Sequence, residues 1–400
     1  MQHCEAQAVS RRYRSVRSHL SSSPAAPDSK HTRLGGRLRS AELSAVSRIP
    51  RRTVRCADSL QGDALGGNAG GVREEGAAVA AGTAVGGGTA PGSEWESSEA
   101  AGGQGAEQVE GPRLACPVCL RALHVSFAGK HRAFSMQSAP SARLQCEPCR
   151  RTYSARTGFA DLVLTAGVTQ YVEPPLPSRS ETFKNPLVSF AYERGWRQSF
   201  AGFGFPGPDE EFLMAQRLFN AQKGGLLVDL SCGSGLFTRR FAASQDWSHV
   251  VAADLSPAML EQTAQYIRDD PLITDQQSGI SLLRVDVSRL PFPSGSVDAI
   301  HAGAALHCWP SPSLAMAEIS HVLRPGGKFV ATTILLPKAP FADDLFKPLR
   351  KQVSMSQQLP FRYWEAEEVE ELMELAGLEK YTCDIRNQYI MLSADKPTRR

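Results

Sequence analysis

Nowhere in the 400 residues is there an apolar run long enough to cross a membrane as a helix, which takes roughly 20 residues. The start of the chain also lacks the apolar core of about 7–15 residues that a secretory signal needs. Acids are scarce there: three against twelve Lys and Arg in residues 1–56. That Ser- and Ala-rich basic arm is expected to be an organellar transit peptide. Val54-Arg55-Cys56-Ala57 fits the loose cleavage pattern of chloroplast import, with Ala57 as the first mature residue. A basic arm that stays on the chain is the alternative. Residues 57–111 have almost no large apolar side chain apart from Trp95 and are rich in Gly, Ala and Glu. Such a segment cannot bury enough surface to offset the entropy of ordering, so a disordered linker is expected.

Residues 226–235 read Leu-Leu-Val-Asp-Leu-Ser-Cys-Gly-Ser-Gly. The apolar run suits a strand buried on both faces of a parallel sheet, and the small residues that follow suit a tight turn. Over 236–244 a helix is expected, with Phe237 and Phe241 on one face. A dinucleotide site would want a third glycine where Thr238 stands, and no Gly-Lys-Ser/Thr follows, so neither a pyrophosphate fingerprint nor a P-loop is present. Asp229 precedes the turn, and Asp254 lies about 20 residues beyond it, the distance of a ribose-binding acid. A ligand with ribose hydroxyls and a cationic centre but no phosphate fits, which is S-adenosylmethionine. A tight turn in some other α/β domain is the alternative.

The alternation continues. Strands are expected over 250–254, 280–285, 297–302 and 329–335, the last after a sharp turn at 324–328. Helices are expected over 208–222, 257–267, 312–323 and 365–376. Pro208 with Asp209, Glu210 and Glu211 opens the first, Ser256-Pro257 the second and Ser311-Pro312 the third, and Gly377 closes the fourth. Two final strands, 381–385 and 389–393, are spaced for a hairpin. The fold class is therefore α/β: a doubly wound, mostly parallel seven-stranded sheet with an antiparallel C-terminal hairpin, spanning about 180–397. Ahead of the first strand, Tyr192, Trp196, Phe200, Phe203 and Phe205 either cap the ligand cleft or pack in the core.

Cys116, Cys119, Cys146 and Cys149 form two Cys-x-x-Cys pairs within 112–160. Four thiolates so spaced suit one tetrahedral zinc ion, and a segment this small needs such a staple, so a zinc-ribbon-like module is expected. Disulfides or unrelated thiols are the alternative. The module is basic: Arg113, Arg121, Lys130, Arg132, Arg143, Arg150, Arg151 and Arg156 face only Glu147. A solvated face or a platform for an anionic partner both fit, and few aromatics interleave to stack bases.

Val-Asp-Leu-Ser-Cys-Gly-Ser-Gly235, Ala-Asp254-Leu-Ser, Val-Asp286-Val, the Asp298 strand and Leu-Arg-Pro-Gly-Gly327 together resemble the class I S-adenosylmethionine-dependent methyltransferases. The resemblance implies that the turn from Asp229 through Ser231, Gly233 and Gly235 binds the cofactor, with Gly233 and Gly235 beneath its methionine part. It implies that Asp254 holds the ribose hydroxyls, Asp286 the adenine amine and the Val287 backbone the ring edge. Ser231 stands where the family has its first glycine, a substitution costing about 1 kcal/mol if that position needs positive φ. Tyr-Glu-Arg-Gly-Trp-Arg-Gln198 and Phe205-Pro-Gly-Pro further resemble uncharacterised chloroplast methyltransferases of plants and green algae. Those are associated with plastoglobules and related to ubiquinone and menaquinone methyltransferases. This implies a chloroplast protein, in the stroma or at a plastoglobule surface, acting on a lipophilic acceptor such as a prenylquinone. A second resemblance, to ribosomal RNA guanine-N1 methyltransferases with a zinc domain ahead of the catalytic one, implies RNA instead. A non-catalytic cofactor-binding scaffold is the third reading. His301 and His307 lie near the end of the fourth strand, and His307, in the loop, is the candidate base. Residues 341–362 mix apolar and basic side chains, as a substrate lid, a lipid-surface contact or a packed helix would.

Overall fold

The computed structural model describes residues 111–128, 133–155, 158–167, 200–273, 279–337 and 362–398. The expected transit peptide, nearly all of the linker, Tyr192 and Trp196, and the 341–361 connection lie outside these residues.

Two sheets form. Strands β1 (His124–Phe127), β2 (Ala142–Cys146) and β3 (Arg151–Tyr153) make a small antiparallel sheet in the order β1-β2-β3. The large sheet runs β10-β11-β9-β8-β5-β6-β7-β4, from β4 (Ala160–Asp161), β5 (Leu226–Leu230), β6 (His249–Asp254), β7 (Ile280–Arg284), β8 (Val297–Ala302), β9 (Leu323–Ile334), β10 (Glu379–Arg386) and β11 (Tyr389–Asp395). Neighbours from β4 to β9 pair parallel, while β11 is antiparallel to both β9 and β10. The seven expected strands are all present. The two-residue β4 is an eighth, contributed from the N-terminal side and covering what would be the open edge of β7. One boundary differs: 324–328, expected as a turn, is already part of β9, which pairs with β8 across an irregularity between Val297 and Ala299.

Helices α1 (Pro208–Leu218), α2 (Leu236–Ser244) and α3 (Pro257–Asp269) pack with the core that holds Phe212, Phe219, Phe241 and Leu260. Their starts follow local chemistry. Pro lies at the first turn of α1 and α3, three acids occupy the first turn of α1, and Ser256 Oγ accepts from Met259 N. A second core gathers α4 (Pro312–Val322), α5 (Ala366–Leu375) and the N-terminal module, through Leu144, Tyr153, Phe292, Met316, Trp364 and Met373. Glu365 and Glu368 form a capping box at the start of α5.

No helix occurs in 285–296, the connection between β7 and β8. The N-terminal module packs against it instead, and Ala115 N donates to Pro291 O at 2.8 Å. Leu162, expected to open a connector, is fully buried and donates its N–H to Arg284 O. Residues 112–160 therefore share a core with the large sheet rather than forming an isolated bead. Among the described residues no helix is long and apolar enough to cross a membrane.

The chain leaves β5 towards β6 and β7, then crosses back to β8 and β9 on its other side. At such a switch point the loops at the carboxyl ends of adjacent strands part, opening a crevice. Here that crevice lies between the glycine turn after β5 and residues 303–310 after β8.

Candidate active site

The glycine turn is built from left-handed residues. Ser231 has φ 57°, Gly233 56° and Gly235 76°. A serine in that region costs about 1 kcal/mol relative to glycine. Its hydroxyl recovers part of this by accepting a hydrogen bond from Trp309 Nε1 at 3.0 Å, which ties the turn to the loop after β8. Gly235 allows a close approach: a Cβ there would lie 2.6 Å from Thr263 Cγ2 of α3.

The turn is pinned from behind. Gly233 N donates to Asp254 Oδ2 at 2.9 Å, Cys232 N donates to Ala253 O, and Thr263 Oγ1 donates to Gly233 O at 2.8 Å. Asp254 Oδ1 also accepts from Ser256 N. Burial pushes the Asp254 carboxyl up to about 6, although the N–H groups of Ser256, Gly233 and Leu255 pull the other way. The Cys232 thiol is pushed well above its ordinary value by burial and by the carboxylates of Asp254 and Asp229. Both effects favour its neutral form.

These elements wall a cleft whose empty space, open mouth included, is about 1010 Å³. Ser231, Gly233, Asp254, Asp286, Val287 and His307 all line it. Asp286 Oδ1 accepts from both N and Oγ of Ser288, which fixes the carboxylate in its turn. On the opposite wall stand Phe200, Ala304, Ala305, Cys308, Trp309 and Pro310, with His307 Nδ1 3.2 Å from Thr333 Oγ1. Among the described residues, His307 and the Cys308 thiol are the ionisable groups on that wall.

Two of the residues expected to contact the cofactor, Asp229 and Gly235, are not among those lining the cleft. Asp229 does not reach the cleft: it is buried behind the turn, with Oδ2 accepting from Thr238 Oγ1 at 2.6 Å and Oδ1 2.8 Å from His301 Nδ1. Gly235 lies off the cleft wall, and its place is to let α3 approach. Thr238, which replaces a fingerprint glycine, holds Asp229 instead. His301 packs against Phe237 and Phe241, so of the two histidines only His307 faces the cleft. Of the aromatics, Phe200 lines the cleft while Phe205 packs on Tyr389 in the core. Trp309 also lines the cleft, beyond the residues expected there. Its signal was a tryptophan two residues beyond His307, in a loop at the carboxyl end of a central strand.

The four cysteines of the module converge, their sulfurs all within 4.8 Å of one another. Leu120 and Arg150, each just after the second cysteine of a pair, have positive φ of 59° and 52°, so the two knuckles turn alike. Burial raises the Cys116 thiol, but hydrogen bonds from Tyr153 and the backbone at Cys119 and Val118 outweigh it and bring it to about 7. Cys149 is pushed to about 12, chiefly by its hydrogen bond with Cys119 and by burial. Thiols this close cannot all ionise without a cation among them, and this donor set suits a closed tetrahedral zinc site.

A methyltransferase-domain family model matches residues 228–331. The chain is similar to an uncharacterised chloroplastic methyltransferase of Arabidopsis thaliana, 46% identical over 286 residues, covering 71% of this chain and 78% of that protein. A second from the same plant is 43% identical over 285 residues, covering 71% and 79%. A demethylmenaquinone methyltransferase of Bacillus licheniformis is 25% identical over 211 residues, 49% of this chain and 82% of its own.

Proposed function

The chain belongs to the class I S-adenosylmethionine-dependent methyltransferases, in the group of the chloroplastic proteins of Arabidopsis thaliana, and from that premise we propose that it methylates a small lipophilic acceptor, such as a prenylquinone, in the chloroplast. The observation that carries the acceptor class is the apolar wall facing the cofactor side of the cleft, with His307 as its basic group. The demethylmenaquinone methyltransferase among the relatives supports the same class.

S-adenosylmethionine, when bound, supplies the methyl group from its sulfonium. Asp254 would accept hydrogen bonds from the ribose hydroxyls, Asp286 and Val287 would hold the adenine edge, and the backbone at Ser231 and Gly233 would face the methionine part. Phe200 and Trp309 exclude water and orient an aromatic acceptor. Much of the rate would come from how these side chains align an acceptor atom with the methyl group. An acceptor hydroxyl also loses a proton, which His307 takes, its Nδ1 held at Thr333. Zinc at Cys116, Cys119, Cys146 and Cys149 is structural in this reading, supported by the convergence of the four thiols.

The test is to incubate the mature protein with methyl-labelled cofactor and a chloroplast extract, then partition the products. Label in the organic phase is expected. Label in nuclease-sensitive material would instead favour RNA, using the exposed Arg113, Arg121, Arg143 and Arg150. Label in neither, with cofactor binding intact, would point to a protein acceptor or a non-catalytic role. His307→Ala should lower turnover with little change in cofactor affinity; unchanged turnover at every pH would remove the base from the mechanism.

A further inference from the structure

Residues 286–289 belong to two structures at once. Asp286 and Val287 line the cofactor cleft. Immediately after them, Arg289 donates from Nε to Pro117 O at 2.7 Å and from Nη2 to Val118 O at 2.9 Å. Pro117 and Val118 are the two residues between Cys116 and Cys119, so one guanidinium clasps the first cysteine knuckle.

Both ends of this link are stiff. On the cleft side Arg289 N donates to Asp286 O at 2.9 Å, and Ser288 donates twice to Asp286 Oδ1. On the knuckle side Leu120 N donates to Cys116 O and Cys116 N to Arg121 O, both at 2.8 Å. A guanidinium is planar with its donors in fixed directions, so two carbonyls on adjacent residues set its plane as well as its position. No helix in 285–296 supplies an independent scaffold for this loop. Beyond the module, Glu318 Oε2 accepts from Leu290 N at 2.8 Å, Val285 N donates to Asp254 O, and the far end of the loop is tied to α4, through Gly295 N and Ser294 Oγ to His321 O and Ser296 N to Val322 O.

The geometry points to the cysteine module as a buttress of the cofactor site, with Arg289 the positioning residue through which metal occupancy at the four thiols sets affinity for the adenine end of the cofactor. The inference rests on the zinc and cofactor readings above and deepens them. With an ion bound, the knuckle carbonyls of Pro117 and Val118 are held in place. Without it the crowded thiols relax apart, the carbonyls move, and Arg289 carries the shift to Asp286 and Val287. Under the plainer alternative, Arg289 only glues the module to the sheet, and cofactor affinity is indifferent to it.

The experiment is a cycle of S-adenosylhomocysteine titrations by calorimetry on the full chain. Wild type and Arg289→Gln are each measured zinc-loaded and after chelation, with Arg217→Gln, at an exposed arginine of α1, as a control expected to match wild type. Chelation of wild type should weaken binding by about 5- to 150-fold, the usual range of coupling between sites. Zinc-loaded Arg289→Gln should show a comparable loss, and chelating it should add no more than about two-fold. Equal weakening of both proteins by chelation, or zinc-loaded Arg289→Gln binding like wild type, overturns the inference. Far-UV circular dichroism accompanies each sample. Should chelation unfold the protein, the zinc-loaded comparison alone decides. Metal analysis and ligand binding of wild type come first. A protein without metal ends the zinc reading, one that binds no ligand ends the cofactor reading, and either ends this inference with it.

Discussion

Ser231 sets two local effects against each other. Its φ of 57° costs about 1 kcal/mol relative to glycine, and its hydroxyl accepts a hydrogen bond from Trp309 worth about 0.5–1.5 kcal/mol net. Ser231→Ala keeps the strain and loses the bond, whereas Ser231→Gly loses both. Alanine should therefore be the less stable variant, by roughly 1 kcal/mol in urea unfolding; equal midpoints would show that the backbone is not strained there. Asp254 gives a prediction in pH. Its folded value of about 6 lies above the unfolded 3.8, and the cause is burial. Between those values the unfolded chain ionises first, so this group's contribution to stability falls as pH rises through the window. Ribose hydroxyls donate to the carboxylate and favour its ionised form. Cofactor affinity should accordingly fall below pH 6, by roughly ten-fold at pH 5. Asp254→Asn should bind weakly at every pH and flatten this dependence. A wild-type affinity constant from pH 7 to pH 5 would contradict the assignment.

Among the elements, α2 and α3 converge on the glycine turn. Gly235 opens α2 with φ 76°, and Thr263 of α3 occupies the space its side chain would need. Gly235→Ala forces a left-handed alanine against Thr263, whose hydroxyl also holds Gly233 O. The expected cost is about 2–3 kcal/mol in chemical unfolding, from overpacking and backbone strain together. Because Thr263 and Gly233 move with it, cofactor affinity should fall as well. Gly235→Ala paired with Thr263→Ser should recover part of the stability. No recovery would mean that the strain resides in the backbone alone.

Among the described residues, one of the two cores spans both sheets. Leu144 and Tyr153 of the small sheet cluster with Leu283, Phe292 and Met316 of the large domain, and β4 is hydrogen-bonded to β7. A bead on a linker would melt separately from the catalytic domain, whereas elements sharing a core melt together. Calorimetric unfolding of the zinc-loaded protein should show one transition, and chelation should lower its Tm without splitting it. Two resolved transitions would mean that the module folds independently of the large sheet.

Much of this was legible along the chain. The strand at Leu226–Leu230, the helix at Leu236–Ser244 and the strand at Val297–Ala302 begin and end where apolar periodicity places them. Asp254, Asp286 and His307 were marked by their positions at strand ends, and the two cysteine pairs by their spacing. Local pattern suffices for these because a buried parallel strand and a capped helix are encoded by neighbouring residues. What a side chain touches across the fold is not encoded so. Asp229 looked like a ligand contact from its place before the turn, yet Thr238 and His301, 9 and 72 residues away, take both its oxygens. The hydrogen bond from Trp309 to Ser231 spans 78 residues, and the grip of Arg289 on the knuckle spans 172. Spacing along the chain determines which residues are available for chemistry. Packing of the module where a crossover helix is missing decided which of them meet, because only the closed core brings distant backbone within hydrogen-bonding reach.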